Sequence, residues 1–196
     1  GEAILKRQGG NTMKTITVKE LMVPLIEYAT VSRDATLREA ILALEKAQLS
    51  LEPMQYRHRA ILVLDNNGNV LGKLTMKDIL VALETNYGKL EGMEVLSRSG
   101  YSADLIKSML ERHTLWPEAW QFVCERAAQM KVKDFVKTPE KSEHVDENAS
   151  LSEAIHQLVL YPHHSLLVTR EKKIVGILRL SDVFAPICDK ISNCRS

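Results

Sequence analysis

The chain has 196 residues, of which 45% are hydrophobic and 26% are charged, with 26 Lys and Arg against 25 Asp and Glu. This composition belongs to a globular, core-forming chain and excludes a disordered one. The formal net charge of +1 gives no general basic field for nucleic acid. No apolar run approaches the ~20 residues of a membrane-spanning helix. We therefore expect a cytoplasmic protein that binds neither membrane nor nucleic acid.

The start of the chain differs from the rest. Gly1–Thr12 contains a Gly-Gly pair and no apolar period, whereas Met13 begins a segment rich in structural signals. We interpret residues 1–12 as a leader and Met13 as the native start. The 3 cysteines are an odd number without C-x-x-C spacing, which predicts free thiols rather than disulfides. The histidine spacing predicts no metal site.

The first part of the chain predicts a helix, a hairpin and a second helix. The first helix follows Asp34, because apolar residues recur there at i, i+3, i+4 and i+7 and bury one face. These residues are Leu37, Ala40, Ile41 and Leu44. Strands over Ala60–Leu64 and Val70–Leu74, with a polar turn between them, form the hairpin. The second helix runs from about Met76 to Leu83.

The middle segment, about Glu84–Met130, predicts helices of a different kind. Ser102 suits the N-cap of a helix over Ala103–His113, and Pro117 suits the first turn of a helix that ends near Met130. Their apolar face would include Leu105, Met109, Trp116, Trp120, Val123 and Ala127. This segment is either a helical linker packed on the rest of the chain or a surface for a dimer or another partner protein.

The remainder of the chain repeats the first part. Val18–Leu21 reappears as Val132–Phe135, and Ala35–Ile41 reappears as Ala149–Ile155, both at an offset of 114. Further on, Leu71–Asp78 matches Val175–Asp182 at an offset of 104, so the first copy carries about ten extra residues near Leu49–His58. The second copy predicts a helix with the stripe Leu151, Ala154, Ile155 and Leu158, strands over Ser165–Val168 and Ile174–Leu178, and a last helix from about Ser181 to Ile187.

Each copy shows the order helix–strand–strand–helix, and with a strand before the first helix we interpret the unit as strand–helix–strand–strand–helix. The predicted fold class is α/β (α+β), with tandem βαββα repeats packed about a pseudo-twofold axis and a helical insertion between them. The predicted boundaries are 1–17 for the N-terminal segment, 18–88 for the first repeat, 89–131 for the insertion, 132–191 for the second repeat and 192–196 for the tail.

The duplicated unit carries the pattern G-x-h-[ST]-x-x-D at Gly72–Asp78, and in this order of elements it resembles the CBS domain. Two copies resemble a CBS pair, or Bateman module. The resemblance implies a regulatory module that senses an adenine nucleotide (AMP, ADP or ATP) in clefts between the repeats and forms homodimers, without a catalytic cofactor. The alternatives are a ligand-free interaction module or an S-adenosylmethionine sensor. We expect no enzyme, because the chain has no G-x-S-x-G, P-loop or G-x-G-x-x-G motif.

The chemistry of the motif agrees with nucleotide binding. Gly72 and Gly176 leave room for close approach near a strand end, and the following helix offers unpaired N–H groups to a phosphate. Asp78 or Asp182 can accept hydrogen bonds from ribose hydroxyls, and the Thr75 hydroxyl can donate to a phosphate. The alternative is that Thr75-x-x-Asp78 is only a capping box, worth ~1 kcal/mol to its own helix.

The resemblance also implies two composite clefts. The first would combine Thr75, Asp78 and Arg59 with Thr138, Lys141 and Glu143, and the second would combine Arg179, Ser181, Asp182 and His163 with Pro24, Glu27 and Ala29. Arg59 and His163 are interpreted as equivalent cations placed to reach phosphates.

Three residues depart from the family pattern. Arg179 replaces the expected Thr or Ser, and it either binds phosphate or fills the cleft. Glu143 stands in place of a small residue, and Pro24 lacks the hydroxyl of its counterpart Thr138. On balance the sequence slightly favours the second cleft, because Ser181, Asp182 and His163 fit.

Overall fold

The computed structural model describes residues 15–49, 58–84 and 120–193, together with residues 102 and 104. These residues form two units. The three-stranded unit contains residues 29–49, 58–84 and 120–138, and the four-stranded unit contains residues 15–28 and 139–193. In chain order the helices and strands are α1 (Val18–Leu21), β1 (Val23–Pro24), β2 (Thr30–Ser32), α2 (Leu37–Leu49), β3 (Ala60–Leu64), β4 (Val70–Thr75), α3 (Met76–Leu83), α4 (Trp120–Gln129), β5 (His144–Asp146), α5 (Leu151–Leu160), β6 (Ser165–Arg170), β7 (Lys173–Arg179) and α6 (Leu180–Ser192).

The sheet of the three-stranded unit has the order β2-β3-β4. Strand β2 runs parallel to β3, so α2 is the crossover that connects them, and β4 returns antiparallel to β3. The hairpin turn is held by Asp65, whose Oδ1 accepts hydrogen bonds from the backbone N–H groups of Asn67 and Asn69, each at 2.8 Å. The predicted hairpin and the helix that follows it are confirmed.

The sheet of the four-stranded unit has the order β1-β7-β6-β5. The second repeat supplies β5 parallel to β6 and β6 antiparallel to β7, and β1 pairs antiparallel with β7. Helix α6 continues to Ser192, past the predicted end near Ile187, although Pro186 lies inside it. Its last turn is held by Asn193, whose side-chain Nδ2 donates to the Asp189 carbonyl at 2.7 Å.

The predicted apolar stripes form the cores. On α2 the core residues are Leu37, Ala40 and Leu44, and on α5 they are their equivalents Leu151, Ala154 and Leu158. They pack on alternating strand residues, such as Ile61 and Val63 in one unit and Leu166 and Val168 in the other. Helix α4 adds Val123 and Ala127 to the three-stranded core, as expected from its apolar face. Of the helix predicted over Ala103–His113, Asp104 is described and is helical, and the other residues lie outside the described part of the chain.

The opening segment of each repeat completes the other repeat's unit. Val18 is fully buried in the four-stranded core and donates its backbone N–H to the Ala149 carbonyl at 2.9 Å. Val132 is fully buried in the three-stranded core and donates to the Ala35 carbonyl, also at 2.9 Å. Each pair is shifted from the other by 114 positions, so the duplication extends to the exchange of these segments. The units are therefore not the two repeats as read along the chain.

Both crossover helices begin with a capping box. The Glu153 carboxylate accepts hydrogen bonds from the Ser150 backbone N–H (2.7 Å) and hydroxyl (2.8 Å), and Glu39 binds Thr36 in the same way. The backbone hydrogen bond from Ser150, and then its hydroxyl, lower the pKa of Glu153. Thr36 and Ser150 are thus the caps, two residues after Asp34 and Asn148.

Candidate functional site

The predicted site residues divide between the two units. Ala29, Arg59, Thr75, Asp78 and Thr138 belong to the three-stranded unit, and Pro24, Glu27, Lys141, Glu143, His163, Arg179, Ser181 and Asp182 belong to the four-stranded unit. The composite clefts between repeats stay a prediction.

In the three-stranded unit the motif ends β4 and begins α3. The Asp78 carboxylate oxygen Oδ2 accepts hydrogen bonds from the backbone N–H of Thr75 (2.9 Å) and from its hydroxyl (2.5 Å), and the Asp78 N–H donates back to the hydroxyl at 3.1 Å. This is the capping box that the sequence left as an alternative. Within the described residues, the other oxygen of Asp78, Oδ1, has no hydrogen-bond partner. Capping therefore occupies one oxygen and leaves one for a ligand.

In the four-stranded unit the corresponding aspartate is held by an arginine. Asp182 Oδ2 accepts hydrogen bonds from the backbone N–H (2.9 Å) and the Nε (2.8 Å) of Arg179, and Oδ1 accepts one from Nη2 at 2.5 Å. The two side chains are 15% and 9% exposed. Of the two roles that the sequence left for Arg179, this contact favours the one in which it fills the site. It weighs against the preference for the second cleft.

The structure shows why position 176 requires a glycine, which the sequence did not reveal. A Cβ at this position would lie 2.6 Å from the Val23 carbonyl oxygen and 3.0 Å from the Met22 sulfur. Pro24 pairs with Gly176 across the β1–β7 ladder. The glycine thus admits the opening segment of the first repeat, whereas the sequence suggested that it admits a ligand.

The interpretation of Arg59 and His163 as equivalent positions is wrong by one residue. Arg59 precedes β3 and its carbonyl accepts a hydrogen bond from the Met76 N–H at 3.0 Å. The same bond in the second repeat joins the Leu180 N–H to the His164 carbonyl at 2.9 Å. His164 is therefore the counterpart of Arg59, because the second repeat is one residue shorter across its hairpin. Both Arg59 and His164 are exposed.

His163 instead belongs to a small polar cluster. Its Nε2 lies 3.0 Å from the Ser142 hydroxyl, and its ring stacks on that of Tyr161 at 5.9 Å between centroids. Gln157 extends the cluster by donating to the carbonyls of Ser142 (2.6 Å) and His144 (2.8 Å). Sequence reasoning missed Ser142, Tyr161 and Gln157, since they are separated along the chain and carry no motif.

The remaining predicted residues lie at positions of differing exposure. Thr138, Lys141 and Glu27 are exposed, whereas Pro24 and Ala29 are half-buried. The Glu143 carboxylate accepts a hydrogen bond from the Glu140 N–H at 3.2 Å and so caps a short 3₁₀ turn.

One ion pair between a buried carboxylate and an exposed arginine escaped the sequence analysis. The Glu147 carboxylate accepts hydrogen bonds from Arg170 Nε (2.5 Å) and Nη2 (2.7 Å), and its side chain is 7% exposed. This hydrogen bonding lowers the pKa of Glu147 and raises that of Arg170. The pair lies at the turn that receives the opening segment, where the Lys19 N–H donates to the Glu147 carbonyl at 2.8 Å.

A family model for the CBS domain matches this chain twice, over residues 18–85 and 132–188. The two matches together cover more than half of the chain. The chain belongs to the CBS domain family. Two matches make it a CBS pair, and CBS domain proteins are generally regulatory modules rather than enzymes.

Solved CBS structures share the fold. A CBS domain-containing protein of unknown function from Bacillus anthracis has a TM-score of 0.60 and 20% identity over 91% of this chain and 96% of its own. The CBS-pair protein CBSX2 from Arabidopsis thaliana has a TM-score of 0.58 and 16% identity over 91% and 99%. The CBS domain of a bacterial CNNM/CorC family Mg²⁺ transporter, solved in complex with ATP, has a TM-score of 0.56 and 17% identity over 90% and 89%. No curated protein matches this chain.

Across the described ranges, His, Cys, Asp and Glu side chains form no group of three or more that could hold a metal ion. In the same part of the chain, no helix combines the length and apolar character needed to cross a membrane.

Proposed function

We propose that this CBS pair is a regulatory module that binds an adenine nucleotide, AMP, ADP or ATP, at the motif that begins α3. The observation that carries the proposal is the Asp78 carboxylate, which caps the helix with one oxygen and has no partner in the described structure for the other. A carboxylate oxygen in this position can accept a hydrogen bond from a ribose hydroxyl.

The surroundings of Asp78 suit the rest of a nucleotide. The first turn of α3 presents backbone N–H groups and a partial positive charge to a phosphate. The exposed Arg59 side chain, next to this turn, adds a cation. The Thr75 hydroxyl already donates to Asp78, so it would reach a phosphate only by giving up that bond. The ATP complex of the CNNM/CorC CBS domain supports an adenine nucleotide as the ligand class.

Calorimetric titration of the full chain tests this proposal. AMP, ADP, ATP and S-adenosylmethionine are titrated separately into the wild type and into Asp78→Asn, which keeps an acceptor oxygen for the cap but removes the charge. We expect binding of at least one adenine nucleotide and a loss of about tenfold or more in the variant, because a charge-assisted hydrogen bond is weakened. Glu45→Gln, an exposed change on α2, is the control. Heat from S-adenosylmethionine alone would favour the alternative sensor, and no heat from any ligand would favour a ligand-free interaction module.

We also propose that the chain forms a homodimer through helices α3 and α6. Both helices leave large apolar side chains in solvent at equivalent positions: Leu80 on α3 is 56% exposed and Phe184 on α6 is 58% exposed. Exposed apolar residues in matching places of a repeated unit suit a self-complementary interface. Of the residues that the sequence assigned to a dimer or partner surface, Trp120 is exposed on α4, whereas Met109 and Trp116 lie outside the described residues.

Sedimentation equilibrium measures the assembly. We expect the wild type to have twice the mass of one chain at micromolar concentrations and Leu80→Glu/Phe184→Glu to be monomeric, because a buried unpaired charge is costly. Trp120→Glu, which places the same charge on α4, separates this interface from a partner surface on the insertion. A monomeric wild type would contradict the proposal.

A further inference from the structure

The two copies of the motif differ at one decisive position. Thr75 and Arg179 occupy the same place, three residues before the aspartate, at the end of β4 and of β7. In the first motif, one oxygen of the aspartate accepts a hydrogen bond from the short Thr75 side chain. In the second motif, both oxygens of the aspartate accept hydrogen bonds from the Arg179 guanidinium.

The consequence for ligand binding follows from the lone pairs of the carboxylate. A ribose held by an aspartate presents its hydroxyls to the carboxylate oxygens. At Asp78 the Oδ1 atom is available, as shown above. A ribose that used both oxygens of Asp182 would have to displace Nε from Oδ2, which already accepts two hydrogen bonds. Because Nε and Nη2 belong to one rigid guanidinium, the bond from Nη2 to Oδ1 would be lost with it. The displaced guanidinium would lose its bonds to Asp182 in a place that shields it from solvent, since its side chain is only 15% exposed.

We infer that Arg179 is an internal latch, which keeps the four-stranded unit from binding a nucleotide and confines binding to the three-stranded unit. This inference rests on the proposed function for its ligand class. It makes one residue responsible for the number of ligands that the chain holds. Each charge-assisted hydrogen bond is worth about tenfold or more in an equilibrium, so the two side-chain bonds of the latch lower the affinity at Asp182 by about 100-fold or more.

The chain contains its own templates for the test. Arg179→Thr gives the second motif the Thr-x-x-Asp box that already folds at α3, and Thr75→Arg gives the first motif the Arg–Asp pair that already folds at α6. Arg170→Thr is the matched control, because it also removes an arginine from a bidentate pair in the four-stranded unit, but away from the motif. Each variant is checked by circular dichroism and thermal melting before use.

The readout is the number of nucleotides bound per chain, from calorimetric titration with AMP, ADP and ATP separately. We expect one site in the wild type and in Arg170→Thr. Arg179→Thr should have two sites whose affinities agree within about tenfold. Thr75→Arg should lose the wild-type site by about 100-fold or more. The double variant Thr75→Arg/Arg179→Thr should again have one site.

The outcomes separate the latch from the proposed function. Two sites in the wild type would overturn the latch and leave the proposed function standing. This result would follow if the phosphate of the nucleotide paired with Arg179 in place of Asp182. One site in both the wild type and Arg179→Thr, or binding that survives in Thr75→Arg, would also overturn only the latch. No site in the wild type but one in Arg179→Thr would support the latch and overturn the function. No binding by any of these chains would overturn both.

Discussion

At the scale of single residues, the same residue type serves different ends in the two repeats. Aspartate lies in the first turn of the last helix of each repeat, but within the described residues Asp78 has one oxygen without a hydrogen bond, whereas both oxygens of Asp182 accept bonds from Arg179. The motif could be found in the sequence because Gly, Asp and the apolar positions recur at fixed spacing. The sequence could not show whether the Asp182 carboxylate is already bonded, since that depends on the rotamer that Arg179 adopts.

Gly176→Ala tests the close approach of β1 to β7. We expect the free energy of unfolding to fall by about 1–3 kcal/mol in chemical denaturation, because the added methyl overlaps the Val23 carbonyl and the backbone must shift. Gly68→Ala is the control: it meets open space and costs about 1 kcal/mol through its φ of +80° alone. Because Pro24 has no N–H, hydrogen exchange in β1 is measured at Val23, where it should quicken only for Gly176→Ala. Unchanged stability and exchange in that variant would contradict the packing described.

The Glu147–Arg170 pair predicts a pH dependence. The pKa of Glu147 is lowered in the folded chain, so its contribution to stability is complete above the ordinary Glu pKa of about 4.3. That contribution is lost as the pH falls through the lowered pKa. Denaturant titrations from pH 7 downward should therefore show Glu147→Gln less stable than the wild type at neutral pH, with the difference closing in acid. Glu45→Gln should run parallel to the wild type, and a constant gap for Glu147→Gln would contradict the assignment.

At the scale of elements, the repeats were predictable because the spacing of apolar residues identifies the buried face of each helix and strand. The period of 3.6 in α2 and α5, and the apolar runs of β3 and β6, needed no knowledge of the fold. What could not be predicted was the register: a hairpin shorter by one residue moves the counterpart of Arg59 from His163 to His164.

Removal of a cap tests the start of the crossover helix α5. Ser150→Ala should lower the free energy of unfolding by about 1 kcal/mol, since the hydroxyl that accepts the Glu153 N–H and donates to the Glu153 carboxylate is lost. Ser152→Ala, two residues on and inside the same helix, should leave stability unchanged or slightly higher, as Ala is the better helix former. Equal effects of the two changes in denaturant titration would show that Ser150 does not cap.

At the scale of the whole molecule, the exchanged opening segments are the feature that the sequence did not reveal. Their residues were found as a repeat, Val18–Leu21 matching Val132–Phe135, but a repeat does not say which sheet a segment joins. That choice is made by contacts far apart along the chain, such as Val18 with Ala149.

Hydrogen exchange by mass spectrometry tests the exchange of segments. Val18→Ala should reduce amide protection in β6 and β7, and Val132→Ala should reduce it in β3 and β4, each with a loss of roughly 2 kcal/mol of local stability from the buried methyl groups removed. Val159→Ala removes the same groups from an exposed site and should change neither sheet. The reverse pattern, with Val18 affecting β3, would mean that each repeat folds on its own segment.

This interleaving has a consequence for cutting the chain. A single break between residues 84 and 120 would separate the repeats, but each fragment would keep a segment that belongs to the other fragment's core. Neither fragment would contain a complete hydrophobic core. The two halves should therefore behave as a complementing pair, unfolded when apart and restored to order on mixing, with the regain of structure dependent on their concentration.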